Sequence, residues 1–255
     1  MNGLLRTAAA LACGLGFLGA VLAQGQVTAL CSTDQCGCEL AAKEFQAQSG
    51  ITVLQVHKAT GEALAQLRAE SQNPKTDLWW GGTGDPFLQA AEVGLLDPYR
   101  PAYLNDLHGW AVRQYAMSEN FVGGFHTSAI GFGWNEDVLR KKKLPATKCW
   151  ADLTDAKYKG EVETSNPVSS GTVHTILAGQ VQLMGEDAAF DYLKKLHRNV
   201  TQYTRSGQAQ AKSVAKGVAK GEVGIGVSFI FGFENERQQG FTMVKSAAPG
   251  EGTSL

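Results

Sequence analysis

Apolar positions along this chain follow two periods in alternation. Val27-Thr28-Ala29-Leu30-Cys31, Ile51-Thr52-Val53-Leu54-Gln55-Val56 and Asp77-Leu78-Trp79-Trp80 are short β-rich runs. Each gives way to a stretch with helical spacing: Leu40, Ala41, Phe45 and Ala47; then Leu64 and Leu67; then Phe87 to Val93. Ser49-Gly50 and Gly94 supply the stops, and Thr60 is placed as an N-cap. A β-loop-α unit repeated three times predicts a mostly parallel sheet, with ligand loops beyond the strand ends.

The pattern then changes. Phe121 to Trp134 alternates glycine with apolar residues and predicts one long extended passage, able to cross between two lobes. Glu136 to Lys143 is a charged helix, and Trp150 to Thr154 opens another unit. Further helices are predicted over Val173 to Met184, over Asp187 to Leu196 with Phe190, Leu193 and Leu196 on one stripe, and over Gln208 to Lys220. Val223 to Phe231 is a buried strand followed by a loop, Phe231-Gly232-Phe233-Glu234-Asn235-Glu236.

The 255 residues are 44% hydrophobic and 18% charged, a soluble globular composition long enough for two lobes. A formal charge of −1 gives no field that selects nucleic acid or an anionic membrane. Arg6 precedes an uncharged apolar stretch from Ala8 to Leu22, and Val21-Leu22-Ala23 suits a signal peptidase. Residues 1–23 are therefore expected to be a signal peptide cleaved after Ala23, which places the mature chain in the periplasm. Export permits disulfides among Cys31, Cys36, Cys38 and Cys149. Cys36 and Cys38 are too close to bridge comfortably, so Cys31 with one of them is the expected clip. The Cys-x4-Cys-x-Cys spacing with no nearby histidine matches no usual zinc pattern.

The order of motifs resembles the bacterial extracellular solute-binding proteins of ABC importers, in the ferric-iron branch. The resemblance runs from Val27 to Leu255. It is carried by Thr60-Gly61, Asp77-Leu78-Trp79-Trp80-Gly81-Gly82-Thr83-Gly84-Asp85-Pro86-Phe87, Gly94-Leu95-Leu96 and Ile130-Gly131-Phe132-Gly133-Trp134-Asn135. Cys149-Trp150-Ala151-Asp152-Leu153, Tyr158-Lys159-Gly160, Ser169-Ser170-Gly171-Thr172 and Gly221-Glu222-Val223-Gly224-Ile225-Gly226 continue it. It implies a type II periplasmic-binding-protein fold, with an α/β lobe over residues 24–128 and a second over 129–255. It also implies a monomer that needs no cofactor and delivers its solute to an ABC permease. Relatives follow Gly250-Glu251-Gly252-Thr253 with a return strand and more helices, so the return crossing to the first lobe is expected to be missing.

Four loops ending in helix N-termini are the candidate ligand site: Ser32-Thr33, Thr60-Gly61, Gly82-Thr83 and Ser169-Ser170-Gly171-Thr172. Unpaired N–H groups and the positive dipole end favour an oxyanion at such places. One loop alone is better accounted for by helix capping; four in one fold point to an anion. Iron-binding members offer adjacent tyrosines in the late loop, and here there is none. Glu234 and Glu236 would be the ligands for iron, without phenolate. Relatives that bind phosphorylated sugars carry a His-Asp pair there; Phe233-Glu234 keeps the carboxylate, and Glu251 matches another of their acids. A phosphorylated or phosphonate-type solute is thus expected ahead of ferric iron. A secreted hydrolase is the remaining alternative. It lacks support, because Ser170 is not in a Gly-x-Ser-x-Gly elbow and His57, His108, His126, His174 and His197 are scattered. Of these, His174 stands nearest a candidate loop. The tryptophans are expected in the core or between lobes, and Lys141-Lys142-Lys143 on a solvated helix face.

Overall fold

A computed structural model describes residues 25–217 and 223–253; the expected signal peptide lies outside them. The first part reads β1 (Gln26–Cys31), α1 (Gln35–Ser49), β2 (Thr52–His57), α2 (Thr60–Glu70), β3 (Leu78–Trp80) and α3 (Gly84–Glu92). These strands form a three-stranded sheet in the order β2-β1-β3, parallel throughout, with Leu30 opposite Val56 and Trp79. Leu30, Leu64, Leu67, Trp79 and Ala90 make its core. Burying a side chain of this size contributes about 1.5–3 kcal/mol.

After α4 (Gly109–Met117), an irregular passage leads to β4 (Ile130–Asn135) and α5 (Glu136–Lys142). Then follow β5 (Val162–Ser165), α6 (Gly171–Met184), α7 (Glu186–His197), β6 (Val200–Thr204), α8 (Gln208–Lys216), β7 (Ile225–Phe229), α9 (Ile230–Gln238) and β8 (Val244–Ala247). The second sheet has the order β6-β5-β7-β4-β8. β5 is parallel to β6 and β7, whereas β4 runs against both β7 and β8. Four strands thus share one direction and β4 alone is reversed. Ile130, Phe132, Trp150, Leu153, Tyr158 and Ile225 lie at the centre of its core.

Several local expectations are corrected. The passage expected as one strand from Phe121 is regular only from Ile130. Thr60 does not cap α2: Ala59 holds that position and Thr60 is the first helical residue. Phe190 is exposed, because α7 buries the face of Ala189, Tyr192 and Leu196, roughly one helical step away. The late strand stops at Phe229, and the expected loop over residues 231–236 is the start of α9. The disulfide joins Cys31 to Cys38, leaving Cys36 exposed and Cys149 apart. Residues two positions apart on a helix point ~200° away from each other, so only one of Cys36 and Cys38 can face β1.

Candidate functional site

A cleft of about 1740 Å³ opens between the two sheets. It is lined by Ser32 and Thr33 after β1, Thr60 at the start of α2, and Gly82 and Thr83 between β3 and α3. From the other side come Ser170, Gly171 and Thr172 at the start of α6. Eight of the sequence-predicted residues are therefore on one surface. Ser206, Gly207 and Gln208, where α8 begins, join them. That loop was missed, although Ser206-Gly207 ahead of a helix carries the same signature as Ser170-Gly171.

The loops are held to close tolerances. Ser32 donates its N–H to Trp80 O (2.9 Å), and its Oγ accepts from Trp79 Nε1 (3.0 Å), leaving the hydroxyl proton to donate elsewhere. Gly82 has φ 92°, where a side chain is strained, and a Cβ there would lie 2.6 Å from Thr60 Oγ1. Ser228 Oγ donates to Gly207 O (2.6 Å), tying the α8 loop to β7. Thr83 Oγ1 is buried with no hydrogen-bond partner. A buried hydroxyl without a partner costs free energy, and here the group sits against Gly171 of the opposite side.

The two sides touch directly. Gly61 N–H donates to Ser169 O at 2.9 Å, and a Cβ on Gly171 would stand 2.0 Å from Thr83 Oγ1. Arg205 pairs with Glu62, and Asn235 Nδ2 donates to Asp34 Oδ2 at 3.1 Å. Gly61 and Ser169 consequently serve the contact between sides and do not line the cleft; the Ser169 hydroxyl donates to Arg205 O at 2.7 Å.

The predicted carboxylates lie elsewhere. Glu234 pairs with Arg237, three residues on, because the segment is helical; that pairing holds its carboxyl below the usual range. Glu251 accepts from Trp150 N–H (3.1 Å) and so caps a 3₁₀ turn. Glu236 is buried in α9, and burial raises its pKa. Among the described residues no group of three or more His, Cys, Asp or Glu side chains could hold a metal ion. His174 lines a small separate pocket with Gly61 and Val168. His126, by contrast, lines the cleft, where burial lowers its pKa against the opposing pull of Asp34. It is therefore neutral at pH 7.

Among the described residues that line the cleft there is no lysine or arginine. Donors in the cleft are N–H groups at the starts of α2, α3, α6 and α8, together with Ser and Thr hydroxyls. An arrangement of this kind can hold an oxyanion by hydrogen bonds and helix dipoles.

A profile of the bacterial extracellular solute-binding proteins matches residues 41–255. The chain belongs to that family. It is 38% identical over 248 residues to an uncharacterized protein of Haemophilus influenzae, covering 96% of this chain and 70% of the other. The periplasmic binding protein AfuA of Actinobacillus pleuropneumoniae, solved with exogenous fructose-6-phosphate bound, superposes with a TM-score of 0.82. That pair is 36% identical, over 90% of this chain and 71% of AfuA. A putative 2-aminoethylphosphonate-binding periplasmic protein of Salmonella paratyphi A is 28% identical over 156 residues, 61% of this chain and 42% of its own. The family, AfuA and, by its name, the Salmonella protein are binding proteins, and the α/β architecture with two sheets is that of type II periplasmic binding proteins.

Proposed function

We propose that this chain captures a phosphorylated or phosphonate-type organic anion in the periplasm and hands it to the permease of an ABC importer, without chemical turnover. One observation carries the reading: helix N-termini from both sheets converge on one cleft lined by Ser and Thr residues. Ser32, Thr33, Thr60, Gly82, Thr83, Ser170, Gly171 and Thr172 supply the donors to the anion in this reading, and Ser206-Gly207 joins them. What AfuA and the Salmonella protein bind, by their names, supports it. Division into lobes at residues 24–128 and 129–255, cleavage after Ala23 and a monomeric state are parts of the same proposal. The two separate sheets support the first of these.

Thermal unfolding of purified mature protein tests it, with fructose-6-phosphate, 2-aminoethylphosphonate, fructose and ferric citrate as probes. A ligand at one hundred times its Kd stabilises by about 2.7 kcal/mol, roughly 5–10 °C for a chain of this size. A phosphorylated probe is expected to raise the Tm by that amount, and fructose is not. An equal shift with fructose would overturn the anion reading, as would a coloured ferric complex with no shift from any organic anion. Release of free phosphate would overturn the non-enzymatic one.

A further inference from the structure

Asp34 directly follows Ser32-Thr33 and holds the N-cap position of α1, yet its side chain makes no capping bond to that helix. A carboxylate at this position ordinarily accepts from N–H groups of the first turn. Here Oδ2 accepts instead from Asn235 Nδ2 at 3.1 Å, on α9 of the other side. Burial pushes the Asp34 carboxyl above its usual range, against the lowering pull of Asn235, of Lys212 on α8, of His57 at the end of β2 and of His126. Glu236, next to Asn235, faces it as a like charge. Asp34 is thus unused by its own helix and is met by Asn235 and Lys212 from two helices of the opposite side.

Both ends of this bond are fixed to parts of the cleft. On the first side the Cys31–Cys38 disulfide encloses the segment that carries Ser32, Thr33 and Asp34. Cys38 N–H donates to Asp34 O at 3.0 Å, and His57 Nε2 lies 2.7 Å from Thr33 O. The three residues therefore move as one piece with β1. On the second side, α9 follows β7 without a loop, and β7 carries Ser228, whose hydroxyl holds Gly207 ahead of α8. Phe233 and Glu236, on either side of Asn235, are buried and fix the helix in place. A movement that breaks the Asp34–Asn235 bond would draw Gly207 away from Ser32-Thr33. The bond forms only in the arrangement that brings the anion donors of the two sides together.

We propose that Asp34 and Asn235 are positioning residues for the solute, a latch that holds the two sides together over the bound anion. Neither residue lines the cleft itself. The proposal rests on the anion reading above. Calorimetric titration and stopped-flow fluorescence with fructose-6-phosphate test it. Asp34→Ala and Asn235→Ala are each expected to weaken binding roughly tenfold, the scale of one hydrogen bond to a charged group. The loss should come from faster dissociation, with the association rate little changed. The double variant should bind no more weakly than either single one, because the same bond is lost. Exchanging the partners, Asp34→Asn with Asn235→Asp, should restore most of the affinity, which side chains that merely support α1 or α9 would not do. Full affinity in either single variant, additive losses in the double, or an exchanged pair as weak as Asp34→Ala would overturn the latch while leaving the anion site standing. Failure of the wild type to bind fructose-6-phosphate or 2-aminoethylphosphonate would overturn both.

Discussion

Thr83 combines two properties that rarely coincide: its hydroxyl is buried and it has no partner. Such a group costs about 1–3 kcal/mol in the folded protein, a penalty that a ligand oxygen would remove. Thr83→Val keeps the shape and deletes the hydroxyl. The unliganded variant is therefore expected to melt at the same temperature as the wild type or higher. Its affinity for a phosphorylated ligand should fall roughly tenfold, the value of one hydrogen bond to a charged group. Calorimetry and thermal unfolding on the same preparation would read both. A lower melting temperature with unchanged affinity would make Thr83 a structural residue only.

Helices and strands were legible where period and punctuation agreed. β1 to α3 follow the apolar runs and glycine stops closely in their bounds, although α1 buries only Cys38 and leaves Leu40 and Phe45 exposed. The α9 segment was misread for a physical reason. Ile230, Phe231 and Phe233 continue the apolar character of β7, so composition gives no mark where the strand ends and the helix starts. Reading a loop there sent Glu234 toward the ligand, whereas helical spacing pairs it with Arg237. A polar contact between elements gives a further prediction. Glu163 on β5 is buried, and Ser213 on α8 is the hydrogen-bond partner that steadies its charge; burial nevertheless raises its pKa above the usual 4.5. The folded state thus favours the protonated acid. Its contribution to stability is full below about pH 4.5 and is lost as pH rises through the higher folded value. Glu163→Gln should remove that dependence and stabilise the protein at pH 8 by about 1–3 kcal/mol. Urea denaturation at pH 5 and pH 8 checks it, and an identical slope in both proteins would show that Glu163 does not titrate as described.

At the scale of the molecule, the two sides of the cleft meet at a handful of points. The Glu62–Arg205 pair is the most exposed of them, with the Arg205 side chain 74% accessible, and such pairs contribute little. Gly171 against Thr83 is the close one. Gly171→Ala would put a methyl 2.0 Å from the Thr83 hydroxyl and wedge the sides apart. Overpacking of this kind costs about 1–3 kcal/mol, roughly five- to 150-fold in ligand affinity. Each sheet keeps its own core, so the melting temperature without ligand should stay nearly unchanged. A fall in melting temperature as large as that from a core truncation, with affinity intact, would place Gly171 in the scaffold instead. That the loops would face one another was implied by the resemblance to two-lobed binders. Which glycine touches which threonine was not, since it depends on how far the sides approach.

The bond from Gly61 N–H to Ser169 O joins main chain to main chain. Substitution can alter every side chain that lines the cleft and still leave this donor and acceptor in being, provided residue 61 is small. Val168 O would be 2.4 Å from a Cβ at Gly61, so that one position is barred from change. Lineages descending from such a chain could therefore change the side chains around the cleft by drift while inheriting the same contact between its two sides.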